Sequence, residues 1–169
     1  VETASASDAK SAADAATKAE KAGIAAIVTD LDAAGTAAVA QAVKLPVINV
    51  GEADDALREA ACRANLLHVA PSERMRTDAL AQSLISRKWT NVLLLAGPSE
   101  ADARRAKVAQ ASIQRYGLKL TGTKTFKVSN DPRERDLANP LLLTQGAYDV
   151  VWVVDSDGEF ARSLPYRTV

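Results

Sequence analysis

Apolar and polar positions alternate between two periods along the chain. Short runs dominated by apolar residues, "IAAIVTD", "LPVINV", "NLLHV", "NVLLLAG" and "YDVVWVVD", read as buried strands, and "LKLTGTKTF" as a further strand. Helical spacing separates them. "SAADAATKAEKAG" opens with Ser11 as its cap and stops at Gly23, where a left-handed residue closes a helix. "AAGTAAVAQAVK" and "EADDALREAACR" follow as helices, and Pro46 stands at the start of its strand, where no ladder hydrogen bond is lost. "SERMRTDALAQSLISRK" is capped by Ser72 after Pro71 and carries one apolar stripe of Met75, Ala79, Leu80, Leu84 and Ile85. "SEADARRAKVAQASIQRYG" turns Ala106, Ile113 and Tyr116 inward and ends at Gly117, and "PRERDLANPLLLTQGA" is a helix interrupted by Pro140. Strands alternating with helices predict an α/β protein with mainly parallel sheets. Such sheets take ligands outside the carboxyl ends of their strands, where Asp30, Asp32, Gly51, Glu52, Gly97 and Asp155 all fall.

Composition narrows this picture. The 169 residues suffice for one domain or two small lobes, and 47% hydrophobic with 25% charged is globular. Lys+Arg and Asp+Glu balance at 21 each, so no charge asymmetry points to nucleic acid or an acidic membrane surface. Alanine dominates the apolar set, which lets helices lie close to a sheet but gives up burial energy. The single Cys62 excludes an intrachain disulfide. No apolar stretch approaches the roughly 18–20 residues that span a bilayer, so no membrane insertion is expected. The opening "VETASASDAK" lacks both Met and the apolar core of a signal peptide, and reads as the start of a processed or trimmed product.

Two stretches, "TDLDAAGT" and "VVDSDGEF", pair aspartates two residues apart at a strand end. Phosphatases of the haloacid dehalogenase type use D-x-D-G-T there, one Asp as nucleophile, its neighbour for the leaving-group proton, and Mg²⁺ against the clustered charge. Here two alanines intervene after Asp32, and Glu159 replaces the Thr after Gly158. The strand after Asp30 ends "INVG" without a hydroxyl, and too little chain follows Asp157 for the rest of such a site. Dinucleotide, P-loop and nucleophile-elbow glycine motifs are absent. His68, the only histidine, reads as a satisfied, partly buried side chain, and Cys62, near Arg58 and Arg63, as a half-buried structural thiol. Arg133 and Arg135 alternate with acids as a solvated face, while Trp89 and Trp152 read as packing residues.

The order of these elements resembles the type I periplasmic binding proteins, the substrate-binding components of ABC transporters. "TDLDAAGT", "PVINVGEADDALRE", "NLLHVAPSERMRTDALAQSLISRKW", "NVLLLAGPSEADARRA", "RYGLKL" and "YDVVWVVDSDGEF" follow one another as in that family. "DDALREAACRANLLHVAPSERMRTDALAQSLISRKW", "LLLAGPSEADARRA" and "GEFARSLPYRT" are similar to its subgroup encoded beside PQQ-dependent alcohol dehydrogenases. The resemblance implies two Rossmann-like lobes with mainly parallel sheets. Residues 1–68 would form lobe one without its first strand, and 69–169 lobe two without the return to lobe one. Family members are about twice as long, so the chain is expected to be a fragment.

The resemblance also implies a non-enzymatic, periplasmic solute-binding role. A ligand would close two lobes, a membrane permease would read the closed form, and no cofactor would be needed. Amino-acid-binding relatives offer Ser and Thr hydroxyls to a carboxylate. Here the first-lobe loops carry Asp30, Asp32, Glu52 and Asp54, and only Thr36 keeps a hydroxyl. Each acid would repel a carboxylate by about 1–4 kcal/mol at effective dielectrics of 80 to 20. With Ser99, Asp155, Asp157 and Glu159 from the second lobe, the expected ligand is a small molecule or cation: a protonated amine, a metal ion or its chelate. Asp32, Glu52, Asp155 and Asp157 are the metal candidates. Helix capping is the competing reading of Asp32 and Asp54. The rival functions are the phosphatase and the ligand-sensing domain of a regulator.

Overall fold

The computed structural model describes residues 2–167, with side chains as far as Leu164; Thr168, which ends the "GEFARSLPYRT" match, and Val169 lie outside the described residues. Two compact units divide the chain, Val1–Glu73 and Arg74–Val169.

In the first unit α1 (Ala9–Lys21), β1 (Ile27–Thr29), α2 (Ala33–Ala42), β2 (Val47–Asn49), a 3-10 turn (Asp55–Arg58) and β3 (Leu66–His68) follow in order. The strands are parallel in the order β1-β2-β3, with Ile27 beside Val47 and Val47 beside Leu66. Ala12 and Ala16 of α1 and Val39 and Ala40 of α2 meet Val47 and Leu66 in one core. These alanines let both helices settle close to the sheet. Asp8, not Ser11, caps α1: its carboxylate accepts from Ser11 N at 2.7 Å, and Ser11 Oγ accepts from Asp8 N at 3.1 Å. Ser11 is the reciprocal member of a capping box. The helix expected over "EADDALREAACR" is only the 3-10 turn, because Glu59 leaves helical conformation (φ −114°, ψ −102°). Cys62 therefore lies exposed, not half-buried.

The second unit follows α3 (Glu73–Ser86) with β4 (Asn91–Ala96), α4 (Glu100–Arg115) and β5 (Lys119–Thr125). A 3-10 turn (Pro132–Glu134), α5 (Arg135–Ala138), α6 (Pro140–Leu143), β6 (Val150–Val154) and α7 (Glu159–Arg167) complete it. All its strands are parallel in the order β5-β4-β6. Central β4 is buried on both sides, as its near-continuous apolar sequence requires. Val92, Leu94 and Ala96 meet Ala81 and Leu84 of α3 and Ala106, Ala109 and Ile113 of α4. Leu93 and Leu95 meet Leu143, Phe126 and Phe160, the two rings stacked at 4.0 Å. Gly117 closes α4 at φ +68°, as Gly23 closes α1 at φ +82°.

The α3 stripe departs from the sequence pattern: Met75 is 56% exposed, and Leu80 and Ile85 are each 41% exposed. The helix instead turns inward the face of Thr77, Asp78, Ala81 and Leu84. Thr77 shares a 2.8 Å hydrogen bond with Ser112, which donates to Asp78 at 2.6 Å, and Asp78 pairs with Arg115. Trp89 is exposed beneath the Arg87 guanidinium, 5.3 Å from its ring centre. The segment after Asp131 breaks into three short turns at Arg135 and Pro140, and α7 was not signalled by the sequence.

Candidate functional site

In each unit the loops at the carboxyl ends of the strands are pinned by one buried polar side chain. Asn49 ends β2 and is fully buried; its amide donates to the Glu52 carbonyl at 2.7 Å and meets His68 Nδ1 at 3.1 Å. Its oxygen accepts from Gly51 N at 3.3 Å and Glu52 N at 2.9 Å. Burial first, and the charge of Arg58 second, push the His68 imidazole below its ordinary pKa, against a bond with the Leu57 backbone. Arg58 donates Nη2 to the Ala70 carbonyl, while its buried Nη1 has no partner.

Around this centre the first-unit candidates take separate duties. Asp32 Oδ1 accepts from Gly35 N at 2.7 Å and caps α2. Asp54 Oδ1 accepts from Ala56 N at 2.8 Å and caps the 3-10 turn, and Glu52 Oε1 accepts from Asp54 N at 2.8 Å. Thr36 is fully buried, and its hydroxyl donates to the Leu31 carbonyl at 3.4 Å. Asp30 is exposed, its carboxylate lying against Gly51 so closely that a Cβ there would overlap it. Asp30 and Gly51 thus lie against each other at the ends of β1 and β2.

In the second unit the pin is Asp102, 4% exposed in the first turn of α4. Ser99 caps α4 by accepting from Asp102 N at 3.0 Å and donates its hydroxyl to Asp102 Oδ2 at 2.6 Å. Across the sheet edge Ser156 donates to Asp102 Oδ1 twice, from its N–H at 2.8 Å and its hydroxyl at 2.6 Å. Burial pushes the Asp102 carboxyl up, but the bonds from Ser156 and then Ser99 outweigh it, so the group titrates below the ordinary carboxylate value. The carboxylate also fills the space over Gly97, where a Cβ would overlap it. One acid therefore ties the loop after β4 to the loop after β6.

That edge is the topological switch point of the unit, because the chain leaves β4 through α4 to β5 on one side and β6 lies on the other. Ser99 lies in the loop after β4, and Asp155, Asp157 and Glu159 follow β6. Asp155 Oδ2 accepts from Ala161 N at 2.9 Å, holding the first turn of α7. The Asp157 carbonyl accepts from Arg162 Nη2 at 3.0 Å, and Arg105 Nη1 donates to Ser156 Oγ at 3.0 Å. Glu159 is an exposed acid in the first turn of α7. Among the described residues no group of three or more His, Cys, Asp or Glu side chains is arranged to hold a metal ion. Asn49, Asp102 and Ser156 were not singled out from the sequence. The first is a polar residue inside an apolar strand, and "SEAD" is an S-x-x-D capping signal.

Two parallel-stranded α/β units, each collecting polar loops at its strand ends, give the architecture of the periplasmic-binding-protein fold. The likeness to solved structures agrees. An ABC transporter substrate-binding protein from Desulfitobacterium hafniense matches with a TM-score of 0.73 at 12% identity, covering 100% of this chain and 51% of that one. A Desulfitobacterium hafniense substrate-binding protein in complex with Leu matches at 0.70 and 11%, covering 99% and 50%. A solute-binding protein of an ABC transporter from R. palustris, in complex with benzoate, matches at 0.60 and 15%, covering 94% and 44%. The chain spans about half the length of these proteins. No family model matches the sequence, and no curated protein matches it. The fold is that of ABC transporter substrate-binding proteins, and no described helix is long and apolar enough to cross a membrane.

Proposed function

We propose that the chain serves as a periplasmic solute-binding component of an ABC transporter, presenting a small molecule to a membrane permease and making or breaking no bond. The observation that carries this reading is the β4–β6 switch point, where Gly97, Ser99 and Ser156 meet around Asp102 on a fold shared with substrate-binding proteins. The ligand is read as a small polar organic molecule, since Asp32, Glu52, Asp54 and Asp155 already accept backbone N–H groups. Leu and benzoate, held by two of the similar proteins, put amino acids and organic carboxylates among the compounds to try, beside the amines and cations that the acidic loops favour. The resemblance to the subgroup beside PQQ-dependent alcohol dehydrogenases adds alcohols, their oxidation products and quinones. The phosphatase reading is not favoured.

A thermal-shift screen over carboxylates, amines, alcohols, quinones and divalent cations tests this. A solute at a hundred times its Kd adds about 2.7 kcal/mol to stability and raises the Tm. The proposal fails if no compound shifts the transition while Mg²⁺-dependent turnover of a phosphate ester appears and is abolished by Asp155→Asn.

A further inference from the structure

Asn49 and His68 end β2 and β3 side by side, paired in register. Backbone groups fix which way round the Asn49 amide sits. Its oxygen accepts from Gly51 N and Glu52 N, and its nitrogen donates to the Glu52 carbonyl at 2.7 Å. That bond uses one amide hydrogen, so the other faces His68 Nδ1 at 3.1 Å. An amide nitrogen donates and does not accept, so Nδ1 must be the acceptor. The ring is therefore neutral, with its proton on Nε2.

A proton on Nδ1 would set N–H against N–H. Asn49 is fully buried, so the displaced amide hydrogen has no water to turn to. Turning the amide over to offer its oxygen to the imidazolium would strip Gly51 N and Glu52 N of their acceptor. The new cation would also meet Arg58 of the 3-10 turn, whose buried Nη1 already lacks an acceptor. Arg58 is the charged group that acts on the ring among the described residues. The acids of the loop do not offset it: Glu52 accepts from Asp54 N, Asp54 from Ala56 N, and Asp30 of the neighbouring strand end lies against Gly51. We propose that Asn49 and His68 form a proton-operated latch. With His68 neutral the loop from Val50 to Asp54 is held, and protonation at Nδ1 releases it together with the Glu52 and Asp54 carboxylates it carries.

The held loop binds fewer protons than the released one. The latch is thus fully closed above the ordinary imidazole value of about 6.5 and weakens as pH falls below it, by at most about tenfold per pH unit for one proton. Burial first, and Arg58 second, hold His68 below that value in the closed form.

His68 is the only histidine of the chain, so its imidazole resonances are unambiguous. Nuclear magnetic resonance between pH 7.5 and pH 5, above the range where carboxylates titrate, tests the latch. The Nε2–H tautomer is expected at the upper end, with a titration midpoint below about 6.5. Hydrogen-exchange protection of the Gly51 and Glu52 amides should fall at least about threefold across this range, while Val47 within β2 keeps its own. In His68→Gln, which carries no titrating group, loop protection should not change with pH. An Nδ1–H tautomer overturns the proposal, as does a midpoint at or above 6.5. Loop protection that does not respond to pH, or falls equally in His68→Gln, overturns it too. Should His68→Gln not fold, the wild-type tautomer, midpoint and loop protection decide alone.

Discussion

Asp102 fastens two loops with one carboxylate, and its ionisation sets how firmly. Its folded pKa lies below the ordinary carboxylate value, so its bonds contribute fully above about pH 4. That stability is lost as pH falls through the lower, folded value, because the unfolded chain takes up the proton first. Asp102→Asn is expected to lower stability by about 1–3 kcal/mol at pH 7, with the gap to wild type closing toward pH 3. Urea denaturation at both pH values checks this; an equal gap at each would remove the charge from the account. Neither Asp102 nor Asn49 was legible as a centre. Their partners, Ser156 and His68, lie 54 and 19 positions away, and pattern reading reaches only the local half of such a bond. The acids were visible, but their backbone partners were not.

Helix caps account for much of what the acidic loops do. Asp32 opens the ten-residue α2, and an Asn in its place can accept the same bond from Gly35 N. Asp32→Asn is expected to leave the Tm almost unchanged, whereas Asp32→Ala costs about 1 kcal/mol. If a bound solute also loses affinity in the Asn variant, charge at this position acts on the ligand as well as on the helix. Strands were the elements read most securely from sequence, because a run such as "NVLLLAG" buried on both faces has one interpretation. α3 was misread in its facing: its apolar stripe is largely exposed, and Thr77, Asp78 and Ser112 hold the helix through polar contacts that hydrophobic spacing cannot reveal. The turns after Asp131 show the same limit, since Pro140 marks a break but not the short turns around it.

Each unit has its own hydrophobic core, one cluster in the first and two in the second. Calorimetry is expected to resolve two unfolding transitions. Leu57→Ala, at 1% exposure in the first unit, should move one, and Leu94→Ala, fully buried in the second, the other, each by about 2–5 kcal/mol. A single transition shifted alike by both variants would mean that the units unfold together. The fold class and the strand ends as meeting places were readable because alternating elements dictate them. Which helix faces which sheet was not readable, since periodicity says nothing of it. If the chain binds a solute as proposed, the fastening of the loops bears on its kinetics. Backbone already held by Asn49 and Asp102 has little disorder left to surrender, so capture should approach the speed of encounter and discrimination between solutes should reside in how long each one stays.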